Sequence, residues 1–166
     1  MKAIGYKNPG SIDRDDALID IEVERPTPSG RDILVGVESI SVNPVDTKVR
    51  RNARPEPGQW KILGWDVAGR VVAKGHDVTR FEIGDAVYYA GAITRPGANS
   101  QYHLVDERIV GHKPASLTTA EAAALPLTAI TAYEMLFDRL DIRRPVPGAA
   151  NAIVWSGTHG RLSSGE

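Results

Sequence analysis

The side chains that could do chemistry gather in two short stretches, Asn43-Pro44-Val45-Asp46-Thr47-Lys48 and Gly64-Trp65-Asp66, with Thr128 further on. Asp46 and Asp66 carry carboxylates that could hold a hard cation, although two isolated carboxylates are commonly solvated or ion-paired. Lys48 could polarise a carbonyl or point into water, the default for lysine. Asn43-Pro44 has the chemistry of a turn. Trp65 could wall a pocket by stacking on a flat ring, and could equally fill a core. Thr128 follows Pro126 near a helix start, where it is either a helix N-cap or a neighbour of free amides that favour phosphate or ribose oxygens. The histidines, His76, His103, His112 and His159, do not stand at metal-ligand spacing from one another, so surface or turn roles are expected. The sequence has no cysteine. That removes disulfides, four-cysteine zinc lobes, cysteine-held iron–sulfur clusters and thiol nucleophiles together.

Those side chains need a scaffold, and 166 residues supply one ordinary domain, or one domain and a fragment. Apolar residues make up 42% and charged residues 25%, a globular balance with enough length for a real core. Twenty basic side chains face 21 acidic ones. A nucleic-acid or membrane-surface partner wants a clear basic excess, so neither is expected. No apolar run is long enough to span a bilayer, and the start, MKAIGYKNPG, has no apolar signal core. A cytoplasmic location is the expectation.

Up to about residue 113 the pattern is one of short strands and frequent turns. Lys2 to Tyr6 reads as a strand, followed by turn chemistry over 8–16. Ala17 to Glu24 alternates, with Ile19, Ile21 and Val23 on one face against Asp20, Glu22 and Glu24. Asp32 to Val42 carries Ile33, Val35 and Val37, then Ile40 and Val42, with a change of phase at Glu38-Ser39 that reads as a bulge. Asn43 to Lys48 ends that strand, and 51–60 reads as a polar, mobile loop. Gly64, Gly69 and Gly75 flank a strand that enters and leaves a crowded sheet, because glycine there marks a bend or a close backbone approach. Strands follow after the Gly84-Asp85 turn, over Gln101 to Val105 and over Ile109 to Lys113. The sum predicts a compact barrel. From Ser116 the period changes. Thr118-Thr119-Ala120-Glu121 is a capping box, Pro126 stops a short helix, and a second helix begins near Leu127 with Ile130, Tyr133, Phe137 and Leu140 on one face. Residues 143–148 read as a linker and Asn151 to Trp155 as a new strand.

Four stretches, taken together, resemble the medium-chain dehydrogenase/reductase superfamily. They are Val42-Asn43-Pro44-Val45-Asp46, the Gly64 to Gly75 motif, Phe81-x-x-Gly84-Asp85-x-Val87, and Ala122-Ala123-Ala124-Leu125-Pro126-Leu127-Thr128. The likeness spans about residues 2–154. It is closest to the quinone-oxidoreductase-like branch, zeta-crystallin relatives included, some of which carry a zinc-binding alcohol dehydrogenase label while lacking the ligands. The resemblance implies a mainly β fold with C-terminal helices: a GroES-like β-barrel catalytic domain with trailing helices over 1–142. Residues 143–166 would be a linker and the aborted start of a Rossmann domain. That domain should follow with a turn close to G-x-G-x-x-G, where this chain reads Gly157-Thr158-His159-Gly160-Arg161 and has six residues left. A truncated or frameshifted chain is expected, a purpose-built single domain being the alternative.

The resemblance also assigns roles. Zinc-dependent members have a cysteine where this chain has Asn43 and a metal-binding histidine where it has Trp65, so no zinc is expected. In zinc-free relatives the asparagine matching Asn43 lies beside the nicotinamide and the acceptor, where its amide can donate to a carbonyl gaining negative charge. Asn43 and Lys48 are therefore the catalytic candidates, Asp46 and Trp65 the substrate-pocket candidates, and Asn43 and Thr128 the candidates for contact with the cofactor, NADPH. The expected activity is hydride transfer from NADPH to a quinone, an enone or a similar small acceptor, absent from this chain alone. Family members are usually homodimers. A non-catalytic barrel remnant or binding module is one alternative, and a zinc-dependent alcohol dehydrogenase another. Exposed apolar surface is expected near 130–155.

Overall fold

Alternation of apolar and polar residues in short runs builds two antiparallel sheets in the computed structural model, which describes Met1–Arg139. The first sheet has the order β2-β1-β4, from β1 (Lys2–Tyr6), β2 (Ile19–Glu22) and β4 (Lys61–Ile62). The second has the order β7-β3-β5-β6-β8, from β3 (Asp32–Ser41), β5 (Asp66–Lys74), β6 (Ala86–Ala90), β7 (Tyr102–Asp106) and β8 (Gly111–His112). An isolated bridge from Ala3 to Ser100 ties β1 to the segment leading into β7. The main core lies on the larger sheet: Ile33, Val35, Val67, Val71, Phe81, Val87, Tyr89 and Val105 are buried together. The chain divides after Ile130, Met1–Ile130 forming one compact unit and the second unit beginning at Thr131.

β5 is the central strand, paired antiparallel with β3 on one side and β6 on the other. Gly69 shows why the glycine-rich motif reads as it does. A Cβ on Gly69 would lie 2.2 Å from the Gly36 carbonyl oxygen and 2.9 Å from a Val35 methyl. The two strands approach there as only a residue without a side chain allows.

The bulge expected at Glu38-Ser39 is present as a register shift between Val37 and Ser39. Beyond it the core face does not resume. Ile40 is 39% and Val42 75% exposed. The strand has by then passed the core, and it is Ser39 that is covered, its Oγ donating to Thr119 Oγ1 at 3.2 Å.

The larger difference from the sequence reading is α1 (Pro44–Asn52), a helix where a turn and a loop were expected. Its only apolar members after Pro44 are Val45 and Val49, too few for a helical stripe to be seen. The signals were in its start: Asn43 at the N-cap, Pro44 in the first turn, and Asp46, whose Oδ2 accepts the Asn43 backbone N–H at 2.8 Å. The strand expected over Ile109 to Lys113 is a 3-10 turn, Glu107–Ile109, followed by the two-residue β8.

The capping box at Thr118 forms, with Thr118 Oγ1 accepting from Glu121 N and Glu121 Oε2 accepting from Thr118 N. It opens α2 (Thr119–Ala123), and Pro126 begins α3 (Pro126–Tyr133). In the second unit the chain runs on as a π-helical stretch, Glu134–Arg139, in which Phe137 meets the Tyr133 ring at 4.6 Å between centroids. Ile130 and Tyr133 are exposed. Leu140, the linker over 143–148, the strand expected over Asn151 to Trp155 and the Gly157 to Gly160 turn lie outside the described residues.

Two buried polar side chains hold the larger sheet. Glu107 accepts the backbone N–H groups of Thr79 and Arg80 and the Arg31 guanidinium, at 2.9–3.0 Å. Those donors, Arg80 N first, keep its carboxyl below the usual range. His103, 4% exposed on β7, has its Nε2 3.0 Å from the Pro96 carbonyl and its Nδ1 2.8 Å from the Tyr89 hydroxyl. A carbonyl only accepts, so Nε2 carries the proton and Nδ1 receives the Tyr89 O–H. Burial pushes the His103 pKa down to about 4.

That shift sets an expected pH dependence. With its folded pKa below its unfolded one, His103 contributes stability above about pH 6.5 that is lost as pH falls towards 4, in total about 3 kcal/mol. Urea unfolding at pH 7 and pH 4.5 should show most of that loss before the salt-bridged Asp106, whose pKa is about 2, begins to titrate. Asp66, with a raised pKa, works in the opposite sense over part of this range. Equal stability at the two pH values in a variant with His103 intact would count against the neutral, buried imidazole.

Candidate functional site

The end of β3, the start of α1, the start of β5 and the start of α3 meet at three polar side chains. Asn43, Asp46 and Asp66 are 8%, 5% and 1% exposed. Asn43 Nδ2 donates to Asp66 Oδ2 at 2.9 Å, and the Asn43 backbone N–H donates to Asp46 Oδ2 at 2.8 Å. The other carboxylate oxygens are also taken: Asp46 Oδ1 accepts from Gly64 N, and Asp66 Oδ1 from Leu127 N, both at 2.9 Å. Asn43 thus bridges two buried carboxylates, each of which is also tied to the backbone of another segment.

The electrostatics follow from burial. Desolvation raises the Asp66 pKa most, and the neighbouring Asp46 charge adds to it, while hydrogen bonds from Asn43 and Leu127 oppose the rise. The hydrogen bond from Asn43 Nδ2 to Asp66 fixes the Asn43 amide in one orientation. One N–H of that amide is committed to Asp66. The second is the group through which Asn43 could act on a ligand oxygen.

The remaining candidates are placed as follows. Asp46 lines a cleft beside α1. Lys48 is exposed on α1, and its backbone carbonyl accepts from Asn52 Nδ2 at 2.9 Å. Trp65 is 3% exposed and packs with Tyr6 and Leu63, and its buried indole N–H has no partner among the described residues. Thr128 is exposed at the start of α3, its hydroxyl donating back to the Leu125 carbonyl at 2.9 Å. It follows Leu127, the residue tied to Asp66. Asp66 is the partner that the sequence reading did not place in the site. Its signal was its position, next to Trp65 in the glycine-flanked motif.

Among the described residues, no three His, Cys, Asp or Glu side chains come together as a metal-binding group, and no helix is long and apolar enough to cross a membrane. Asn43 and Trp65 offer little to a zinc ion. One is an amide whose nitrogen serves Asp66, and the other has no ligating atom.

Residues 29–130 match the alcohol dehydrogenase GroES-like domain, and the chain belongs to that family, within the medium-chain dehydrogenase/reductases. It is similar to a zinc-type alcohol dehydrogenase-like protein of Staphylococcus aureus (strain COL), 46% identical over 142 residues, covering 86% of this chain and 42% of that protein. Among solved structures it is similar to a Rhizobium etli CFN 42 protein whose name ascribes to it zinc-dependent alcohol dehydrogenase character. That match has a TM-score of 0.87 and 61% identity, and covers 90% of this chain and 44% of the other. It is also similar to the Escherichia coli quinone oxidoreductase solved with NADPH, with a TM-score of 0.73 and 28% identity over 84% of this chain and 41% of the other. The chain therefore spans less than half the length of these relatives.

Proposed function

We propose that this chain is the catalytic-domain part of a zinc-independent, NADPH-dependent reductase of quinones or activated alkenes and carbonyls. The observation that carries the reading is the bridge from Asp46 through Asn43 to Asp66. Its Asn43 stands where, by the resemblance, zinc-dependent members carry a cysteine ligand, and the bridge spends its carboxylate oxygens on N–H donors. These residues do not fit a zinc ion.

When bound, NADPH supplies the hydride. The chain's own residues would position and polarise the acceptor. The second Asn43 N–H would donate to the acceptor oxygen as charge develops there, and Asp66, holding the first N–H, keeps the amide aimed. Lys48, exposed and without an ion-pair partner among the described residues, would supply further positive charge, and solvent would supply the proton. The Thr128 hydroxyl donates to the backbone but keeps lone pairs that could accept from a ribose hydroxyl. Asp46 and Trp65 would shape the acceptor pocket, Trp65 from behind its wall. The described residues contain no glycine-rich turn entering a helix to cradle a pyrophosphate, so tight NADPH binding is expected only with the dinucleotide-binding half of the relatives in place. The assembled enzyme is expected to be a homodimer.

The test joins this chain to the dinucleotide-binding domain of the Rhizobium etli relative and assays 1,4-naphthoquinone reduction by NADPH in the presence of a chelator. Activity should survive chelation and fall about 100-fold in Asn43→Ala. Alcohol oxidation that depends on stoichiometric zinc would overturn the reading. The 166-residue chain alone, titrated with NADPH and followed by tryptophan emission, separates a second reading. That reading is a non-catalytic binding module, which no quenching at millimolar NADPH, together with an inactive fusion, would support.

A further inference from the structure

Arg50 is a buried cation without a counter-ion. It is 5% exposed, and no carboxylate of the described residues forms an ion pair with it. Its guanidinium donates to two backbone carbonyls in the loop between β1 and β2: Nη2 to Gly10, and Nη1 to Ala17 at 3.4 Å. The Gly10 N–H returns a bond to the Arg50 carbonyl at 3.3 Å. Arg50 thus staples both ends of the 10–17 loop to α1, using two of its five N–H donors. Burying a charge is costly unless it is paired, and two neutral carbonyls offset only part of that cost.

The same guanidinium lines a cleft of about 260 Å³ between that loop and α1. Ile12, Leu18 and Val42 are exposed there and form apolar walls. Arg51, also on the cleft, is exposed and has no ion-pair partner among the described residues. Asp46 lines the cleft too, but both its oxygens are held by Asn43 N and Gly64 N, and its single negative charge is set against two positive ones. The acidic residues of the loop are turned elsewhere. Asp16 pairs with Arg14, Asp13 accepts from Ser11, and Asp15 is exposed.

We propose that this cleft is a binding site for a small organic anion, an aromatic or short-chain carboxylate, with its charge at Arg50 and Arg51 and its body against Ile12, Leu18 and Val42. Two arginines favour a carboxylate because their planar N–H pairs match its two oxygens. The cavity is smaller than the roughly 300 Å³ at which sites for drug-sized ligands begin, which limits the body to one ring or a short chain. The cleft lies on the Asp46/Thr47/Arg50/Arg51 side of α1, and Lys48 stands on another face of the helix. The inference does not depend on the redox reading, since its readout is binding alone.

The experiment titrates the 166-residue chain with benzoate and, separately, with benzamide, its neutral counterpart of the same shape, and follows backbone amides by NMR. Benzoate should shift the amides of Gly10 to Leu18 and Thr47 to Asn52 saturably, and at least tenfold more tightly than benzamide. Arg51→Gln should weaken benzoate about tenfold with an unchanged thermal midpoint, because Arg51 makes no contact that folding needs. Arg50→Gln is left out as the decisive variant, since it unfastens the loop. Equal affinity for benzamide, shifts confined to other segments, no binding at all, or an Arg51→Gln chain that binds benzoate like the parent would each overturn the proposal.

Discussion

Gly69→Val is expected to leave almost no folded protein. The first atom of any side chain at this position would lie 2.2 Å from the Gly36 carbonyl oxygen and 3.1 Å from the carbon that carries it. Those atoms cannot swing aside, because Gly36 pairs with Arg70 in the β3–β5 ladder and with Tyr102 in the β3–β7 ladder. Relief would require parting the two strands that carry Ile33, Val35, Val67 and Val71, the centre of the main core. Overpacking that distorts a core costs about 1–3 kcal/mol. A backbone clash at the middle of the sheet puts alanine at the top of that range and valine beyond it, at more than 4 kcal/mol. Gly58→Ala is the control. Gly58 has φ of +80° and open space around it, so only the conformational cost of about 1 kcal/mol applies. Thermal midpoints of the two alanine variants and the soluble yield of Gly69→Val would decide the matter. Similar midpoints for Gly69→Ala and Gly58→Ala would mean that the strands do not approach this closely.

Asp66→Ala is expected to cost about 3 kcal/mol and to abolish the activity proposed for the assembled enzyme. Asn43 Nδ2, buried, and Leu127 N, half-buried, would lose their acceptor, at about 1–3 kcal/mol for the first and less for the second. Part of this is returned. Asp66 is held in a setting that raises its pKa, by burial first and by Asp46 in addition, so removing the charge relieves an existing cost. The lost hydrogen bonds win, because they tie α3 to β5 and the Asn43 amide to its place. Asp66→Asn does not rescue the site, since one acceptor oxygen becomes an NH₂ facing an N–H donor. The sign of the pH effect is specific. A carboxyl whose folded pKa is raised adds stability below its unfolded pKa and loses it as pH rises through the folded value. The deficit of Asp66→Ala should therefore be larger at pH 4 than at pH 7, by urea unfolding. A deficit that grows towards neutral pH would mean that the native state prefers the ionised form, contrary to the burial seen here.

The strands were legible because their residues alternate, and the β3 bulge because the alternation slips at Glu38-Ser39. The polar bridge was legible only in part. Asn43 and Asp46 stood out by resemblance, but the pairing of Asn43 with Asp66 depends on a contact between residues 23 apart in sequence, which no local pattern encodes. α1 was missed because its information lies in an N-cap and a proline rather than in an apolar stripe. The exposure of Ile40 and Val42 could not be read either. Whether an apolar residue is covered depends on where the neighbouring element ends, and here α2 covers Ser39 instead. The Arg50 staple was hidden for a simpler reason: its acceptors are backbone carbonyls, which every sequence has.

The order of strands in the larger sheet has a consequence for synthesis. β3 leaves the ribosome before either of its neighbours, since β5 ends at Lys74 and β7 at Asp106. At ordinary elongation speeds that gap lasts on the order of seconds. Until Lys74 emerges the segment Ile33-Leu34-Val35 has two unpaired flanks, and from there to Asp106 it keeps one, an apolar edge that invites pairing with another nascent chain. Slowing translation within codons 75–106 should therefore raise the insoluble fraction more than slowing it after Asp106, where both flanks are already closed.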